Sequence, residues 1–90
     1  MKQIYCIFDK KVGFYNNELI LLDNDASAER WLYCFFQSAK DATPNSAFAT
    51  YPDDFDLYCV GTFDQTDCIT AVYDKPRFVS NVGSLVYKEV

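Results

Sequence analysis

The side chains best suited to chemistry are carboxylates. Asp53, Asp54, Asp56, Asp64 and Asp67 crowd one stretch of a 90-residue chain. Such a cluster can hold a divalent cation or supply the acid and base of a hydrolase. Calcium loops space their oxygen ligands at alternate positions and place a Gly at the bend. The run PDDFDLY does not follow that spacing. Turn chemistry fits better: Asp53 or Asp54 caps a turn, and Asp64 and Asp67 belong to a hairpin loop. Four cysteines, Cys6, Cys34, Cys59 and Cys68, form no CxxC pair, and the chain has no His. Zinc needs closely spaced Cys and His ligands, so these cysteines are expected to be small buried hydrophobes, with no metal and no cofactor. Cys59 and Cys68 can face each other across a hairpin, and a cytosolic chain keeps such a pair reduced. Without His the commonest general base is missing, and Ser27 and Ser38 lack an activating partner. The glycines stand alone at 13, 61 and 83, so no phosphate-cradling loop or nucleophile elbow is present. These observations predict a protein that is not an enzyme.

Binding chemistry is better supplied. The chain holds seven Tyr, eight Phe and one Trp, rings that work half in and half out of water. Tyr5, Tyr58 and Tyr73 lie in strand-like runs and would form a stacking platform for single-stranded nucleic acid if they shared an outer face. The close basic groupings are Lys10–Lys11 and Lys75 with Arg77. A net charge of −5 opposes a surface that coats phosphates, which needs clustered cations. A protein partner is therefore expected before DNA, with Tyr5, Tyr58, Tyr73, Lys10, Lys11, Lys75 and Arg77 as the candidate interaction surface.

One helix and several strands must position these groups. In Asp23–Ala39, the residues Ala28, Trp31, Leu32, Phe35, Phe36 and Ala39 recur at helical spacing and form a core-facing stripe. Asp25 is expected to cap the first turn, and Lys40 suits the last. Gln3–Phe8 is apolar on both alternating sets, which predicts a central strand covered on both faces, with Ile4, Cys6 and Phe8 on one and Tyr5 and Ile7 on the other. Asp9–Gly13 reads as a turn with Gly13 at positive φ. Phe14–Tyr15, interrupted by Asn16-Asn17, continues as Glu18–Leu22. Residues 41–52 form a linker loop anchored by Phe48 and Tyr51, with Phe48 packed back on the helix. Asp56–Phe63 is a strand with Leu57, Cys59 and Phe63 on one face and Tyr58 and Val60 on the other. Gly61 there predicts a bulge or a close crossing by a bulky side chain. Cys68–Asp74 returns antiparallel, Pro76 ends that strand, and Arg77–Val79 forms an edge. Asn81–Ser84 is loop, and residues 80–90 form a loosely ordered tail. The sum is a single α+β domain over 1–90. Its four- to five-stranded antiparallel sheet carries one helix on one face, in the order ββαββ. The second face, given to Tyr5, Ile7, Tyr58 and Val60, then needs a second copy or another partner to cover it. No stretch approaches the roughly 20 apolar residues of a membrane span, and the start lacks the apolar run of a signal peptide.

The segment SAFATYPDDFDLYCVGTFDQTDCITAV, residues 46–72, carries a resemblance. Ser46 and Phe48, then Tyr51-Pro52-Asp53-Asp54-Phe55-Asp56-Leu57-Tyr58, then Val60-Gly61-Thr62-Phe63-Asp64 resemble the small nonstructural protein of gokushovirus-type microviruses, which are single-stranded DNA phages. Ala28-Glu29-Arg30-Trp31 is similar to the same family's helix, and the resemblance extends to about residue 79. It departs at Asp67-Cys68, where the family often has Thr-Gly. The resemblance implies a non-capsid accessory protein made in the cytoplasm of the infected bacterium. It also implies a role in viral DNA replication or in the switch to single-strand genome packaging, as for the microvirus protein C with which the family is compared. The expected partner is a phage replication or packaging protein, and the alternatives are direct single-stranded DNA binding or inhibition of a host enzyme or defence factor.

Overall fold

The computed structural model describes residues 1–87. Strand β1 (Lys2–Asp9) is central. On one side it pairs antiparallel with β2 (Phe14–Tyr15) and then β3 (Ile20–Leu22), and on the other with β4 (Phe55–Asp64). β5 (Ile69–Asn81) pairs with β4 and forms the far edge. Helix α1 (Asp25–Ala42) follows β3, then a single turn α2 (Ala47–Thr50) and a 3-10 turn at Pro52–Asp54. A short α3 (Val82–Val86) follows β5. The expected α+β class with one main helix on an antiparallel sheet is therefore present. The interrupted second strand is two strands on one edge, so the order is βββαββ.

The central place of β1 follows from its composition. Ile4, Tyr5, Cys6 and Ile7 are all buried, so both pleat faces are covered. Tyr5 and Ile7 meet Leu57, Cys59, Ala28, Leu32, Phe36 and Val82 in one core cluster under α1. This corrects the expected facing of β1: Tyr5 and Ile7 lie beneath the helix, and Ile4, Cys6 and Phe8 face away. Both sets are apolar, so period-two alternation carries no sign of which one turns inward. The outward set is partly roofed by the Asn16–Leu19 link between β2 and β3. The Cys6 thiol donates to the Asn16 and Glu18 carbonyls at 3.3 and 3.5 Å, and burial pushes its pKa up.

α1 buries a narrower stripe than its sequence implies. Ala28, Leu32 and Phe36 are buried, Trp31 is half-buried, and Phe35 remains 42% exposed. Steps of four residues hold 28, 32 and 36 on one line, and Phe35 falls off it. Phe35 instead stacks on Trp31, with ring centroids 5.1 Å apart and planes 7° apart. The cap is Asn24, not Asp25. Asn24 is extended, and its Oδ1 accepts from the Ser27 N–H at 2.8 Å. The expected loop at 41–52 contains α2, capped by Ser46 through the Ala49 N–H. Phe48 does pack back on Phe35 and Phe36.

β5 does not stop at Pro76. Cys59 opposes Arg77 while Gly61 opposes Val72, so residues 73–76 bulge out opposite Val60 alone. Pro76 sits in that bulge, where a missing N–H breaks no ladder. The bulge expected at Gly61 is present: β1 pairs Ile4 with Gly61 and Tyr5 with Cys59, leaving Val60 extra, so Phe63 turns to the face opposite Cys59 and not, as expected, to the same one. Gly61 also marks a close approach, made by the β5 backbone and not by a helix ring. A Cβ there would run into the Ala71 carbonyl and lie 3.0 Å from Val72 Cα. Gly13 takes φ 80 as expected, and Cys68, at the hairpin tip, takes φ 58. Cys34 and Cys68 are exposed, which corrects their placement as buried hydrophobes, and all four cysteines are free. Beyond β5, Val82 is wholly buried and α3 lies against the 3-10 turn. Residues 88–90, the end of the expected tail, lie outside the described residues.

Candidate interaction face

The strand registers bring four rings into a row on the sheet face away from α1. Phe8 of β1 opposes Tyr15 of β2, Cys6 opposes Tyr58 of β4, and Tyr58 opposes Phe78 of β5. Phe8 and Tyr15 lie 4.7 Å apart. Tyr58 lies 6.0 Å from Phe8, 5.7 Å from Tyr15 and 5.8 Å from Phe78. Tyr58 meets each neighbour near edge-on, at 87°, 74° and 81°, which sets positive ring edges against negative ring faces. Phe78 is 53% exposed and Tyr15 is exposed too, while Phe8 and Tyr58 are half-buried. Burial and the neighbouring Tyr58 raise the Tyr15 pKa, so its hydroxyl stays a donor.

The row ends on a carboxylate. Asp56 opposes Phe8 and shares the Tyr58 face. It is buried, accepts from Asn81 Nδ2 at 2.8 Å, and has Lys10 Nζ 3.6 Å away. Asn81 Nδ2 also reaches the Asp53 and Phe55 carbonyls, and its Oδ1 caps α3 through the Ser84 N–H. Lys10 at this end of the row is thus already matched by an anion.

The other predicted site residues lie elsewhere. Tyr5 is completely buried on the helix side, where its hydroxyl donates to Asp25 Oδ1 at 2.7 Å. Burial, and then that bond, drives the Tyr5 pKa far upward. Arg77 joins the same carboxylate through two nitrogens, at 2.8 and 3.1 Å, and its bond holds Asp25 below the usual carboxylate range. Tyr73 donates to Gln3 Oε1 at 3.3 Å, beside Cys59, whose thiol reaches the same oxygen. Tyr5 and Arg77 therefore tie β1 and β5 to the N-terminal end of α1 through Asp25, and Tyr73 ties β5 to β1 through Gln3. Of the three tyrosines expected on one outer face, only Tyr58 is in the row. Lys75 lies in the β5 bulge and Lys11 in the β1–β2 turn, whose N–H groups Asp9 caps at 2.9 and 3.4 Å. Among the acidic cluster, Asp64 caps the hairpin through the Thr66 N–H.

Sequence reasoning missed Phe8, Tyr15 and Phe78. Each comes from a different strand, and only the inter-strand registers gather them. It also missed a cavity of about 420 Å³ between the β1–β2 turn and the C-terminal half of α1, walled by Val12, Phe14, Phe35, Phe48 and Phe55. No helix among the described residues is long and apolar enough to cross a membrane.

Compared with known families, residues 2–85 match the one described as Phage ORF5 protein. No curated protein and no solved structure matches the chain.

Proposed function

The chain belongs to the Phage ORF5 protein family, and from that premise we propose that it is a non-enzymatic accessory protein of a gokushovirus-type phage. It acts in the cytoplasm of the infected bacterium, in viral DNA replication or the switch to single-strand packaging. It does so by protein–protein contact, holding a phage replication or packaging protein against the row of Tyr15, Phe8, Tyr58 and Phe78. The observation that carries this reading is the row itself: four rings across four strands on the sheet face that α1 leaves uncovered. Aromatic anchors with a polar margin are the usual centre of a protein interface. The matched Lys10–Asp56 pair and the net charge of −5 support a protein partner over a polyanion.

A crosslinking pull-down from infected cells tests it. The wild-type chain is expected to recover a phage replication or procapsid protein, and Phe78→Lys to lose it. Phe78 is exposed, so that change leaves the core intact. Recovery of no phage protein, or equal recovery by the variant, overturns the reading. The same row favours one rival, direct stacking of single-stranded DNA. Labelled single-stranded DNA titrated at low salt distinguishes the two. Tight binding that falls steeply with salt and requires Tyr58 would replace the protein partner with DNA.

A further inference from the structure

The free edge of β5 serves neither the core nor the aromatic row. Every residue from 65 to 78 is exposed, although 69–78 run as strand. Val72 is 74% exposed. The outward backbone groups of this edge can be assigned. The Ala71 carbonyl lies where a Cβ on Gly61 would sit, so it points toward β4. Within an antiparallel strand the N–H and C=O of one residue point to the same side, and successive residues alternate. Thr70 and Val72 therefore direct both groups to the open edge. An unpaired edge of this kind is a template for another strand.

We propose that two copies of this chain pair antiparallel along the outer edges of β5, with the twofold axis passing through Ala71. In that register Thr70 opposes Val72 of the second copy, and the two exchange N–H and C=O bonds as a closely spaced pair. Charge selects the register. The axis sets the hairpin tip of one copy, which carries Asp67, beside the bulge of the other, which carries Lys75, and symmetry repeats the contact. Neither side chain has an ion-pair partner among the described residues. Centring on Val72 would slide the tip toward Arg77, which Asp25 already holds. The strand between them, Ile69–Tyr73, carries no charge, so two acidic chains meet there without repulsion. The chain leaves the regular ladder at residues 73–76, so the new ladder stops at the bulge. Because the contact is isologous, it closes at two copies.

Sedimentation equilibrium of the full chain over a range of concentrations tests this. Wild type is expected to show a reversible monomer–dimer equilibrium. Val72→Pro, which removes an outward N–H, is expected to leave only monomer with an unchanged circular dichroism spectrum. Asp67→Lys and Lys75→Asp, both at exposed positions, are each expected to weaken the dimer about tenfold. Mixing those two variants is expected to restore the wild-type affinity, because each lysine again faces an aspartate. Phe78→Lys is expected to leave the dimer intact, which separates this contact from the aromatic row. A monomer at every concentration, a dimer indifferent to the charge variants, or no recovery on mixing would overturn the proposal.

Discussion

Asp25 shows how one side chain serves two elements. Its position at the start of α1 favours the charged form, and Arg77 and Tyr5 both donate to it. Its pKa in the folded protein is depressed, chiefly by Arg77. The stability it supplies is therefore complete above the unfolded pKa, about 3.9, and is lost as pH falls through the lower folded value. Asp25 is part-exposed, so the effect is reduced by solvent. Urea midpoints measured from neutral pH into the acid range are expected to fall less steeply for Asp25→Asn than for wild type, and equal slopes would remove Asp25 from the acid response. Tyr5→Phe deletes a donor from a buried hydroxyl and is expected to cost about 0.5–1.5 kcal/mol. Cys68 is strained in another way. A non-glycine residue at φ 58 carries a steric cost of about 1–2 kcal/mol. Cys68→Gly is expected to raise the melting temperature, because glycine adopts this conformation without the steric cost.

At the scale of elements, α1 and the β4–β5 pair divide what the sequence makes legible from what it hides. Helical spacing identifies Ala28, Leu32 and Phe36 because burial and period coincide there. Leu32→Ala is expected to cost about 2–5 kcal/mol in urea unfolding, and Phe35→Ala far less, since that ring is part-exposed. Gly61→Val drives a branched side chain into the β5 backbone. It is expected to unzip residues 69–72 from β4, read as faster amide hydrogen exchange there than in β1. The bulge at Gly61 was legible because a lone Gly within a strand pattern marks one, but the β5 backbone as its close neighbour was not. The cap was not, since Asn24 and Asp25 are adjacent residues of nearly equal capping strength. Pro76 reads as a strand end because the sequence does not reveal a bulge able to absorb it. The aromatic row was hidden for a geometric reason: its rings sit far apart in sequence, and both faces of β1 look alike.

The whole molecule presents three unequal surfaces: α1 on one sheet face, the aromatic row on the other, and the open edge of β5. The row and the edge are separate in the fold, so their variants should act independently. Val72→Pro is expected to retain the crosslinked phage partner, while Phe78→Lys retains self-association. The first strand made is flanked on one side by β2 and β3, close in sequence, but its other edge waits for β4, with Lys2 meeting Phe63 and Asp9 meeting Phe55. Closing so long a loop is slow. Until it closes, a strand apolar on both sides stays open to strangers. Trp31, the sole tryptophan, sits at the helix–sheet boundary and reports the moment of closure by its fluorescence. Refolding is therefore expected in milliseconds to seconds, not microseconds, and crowding by other unfolded chains during that interval competes directly with the arrival of β4.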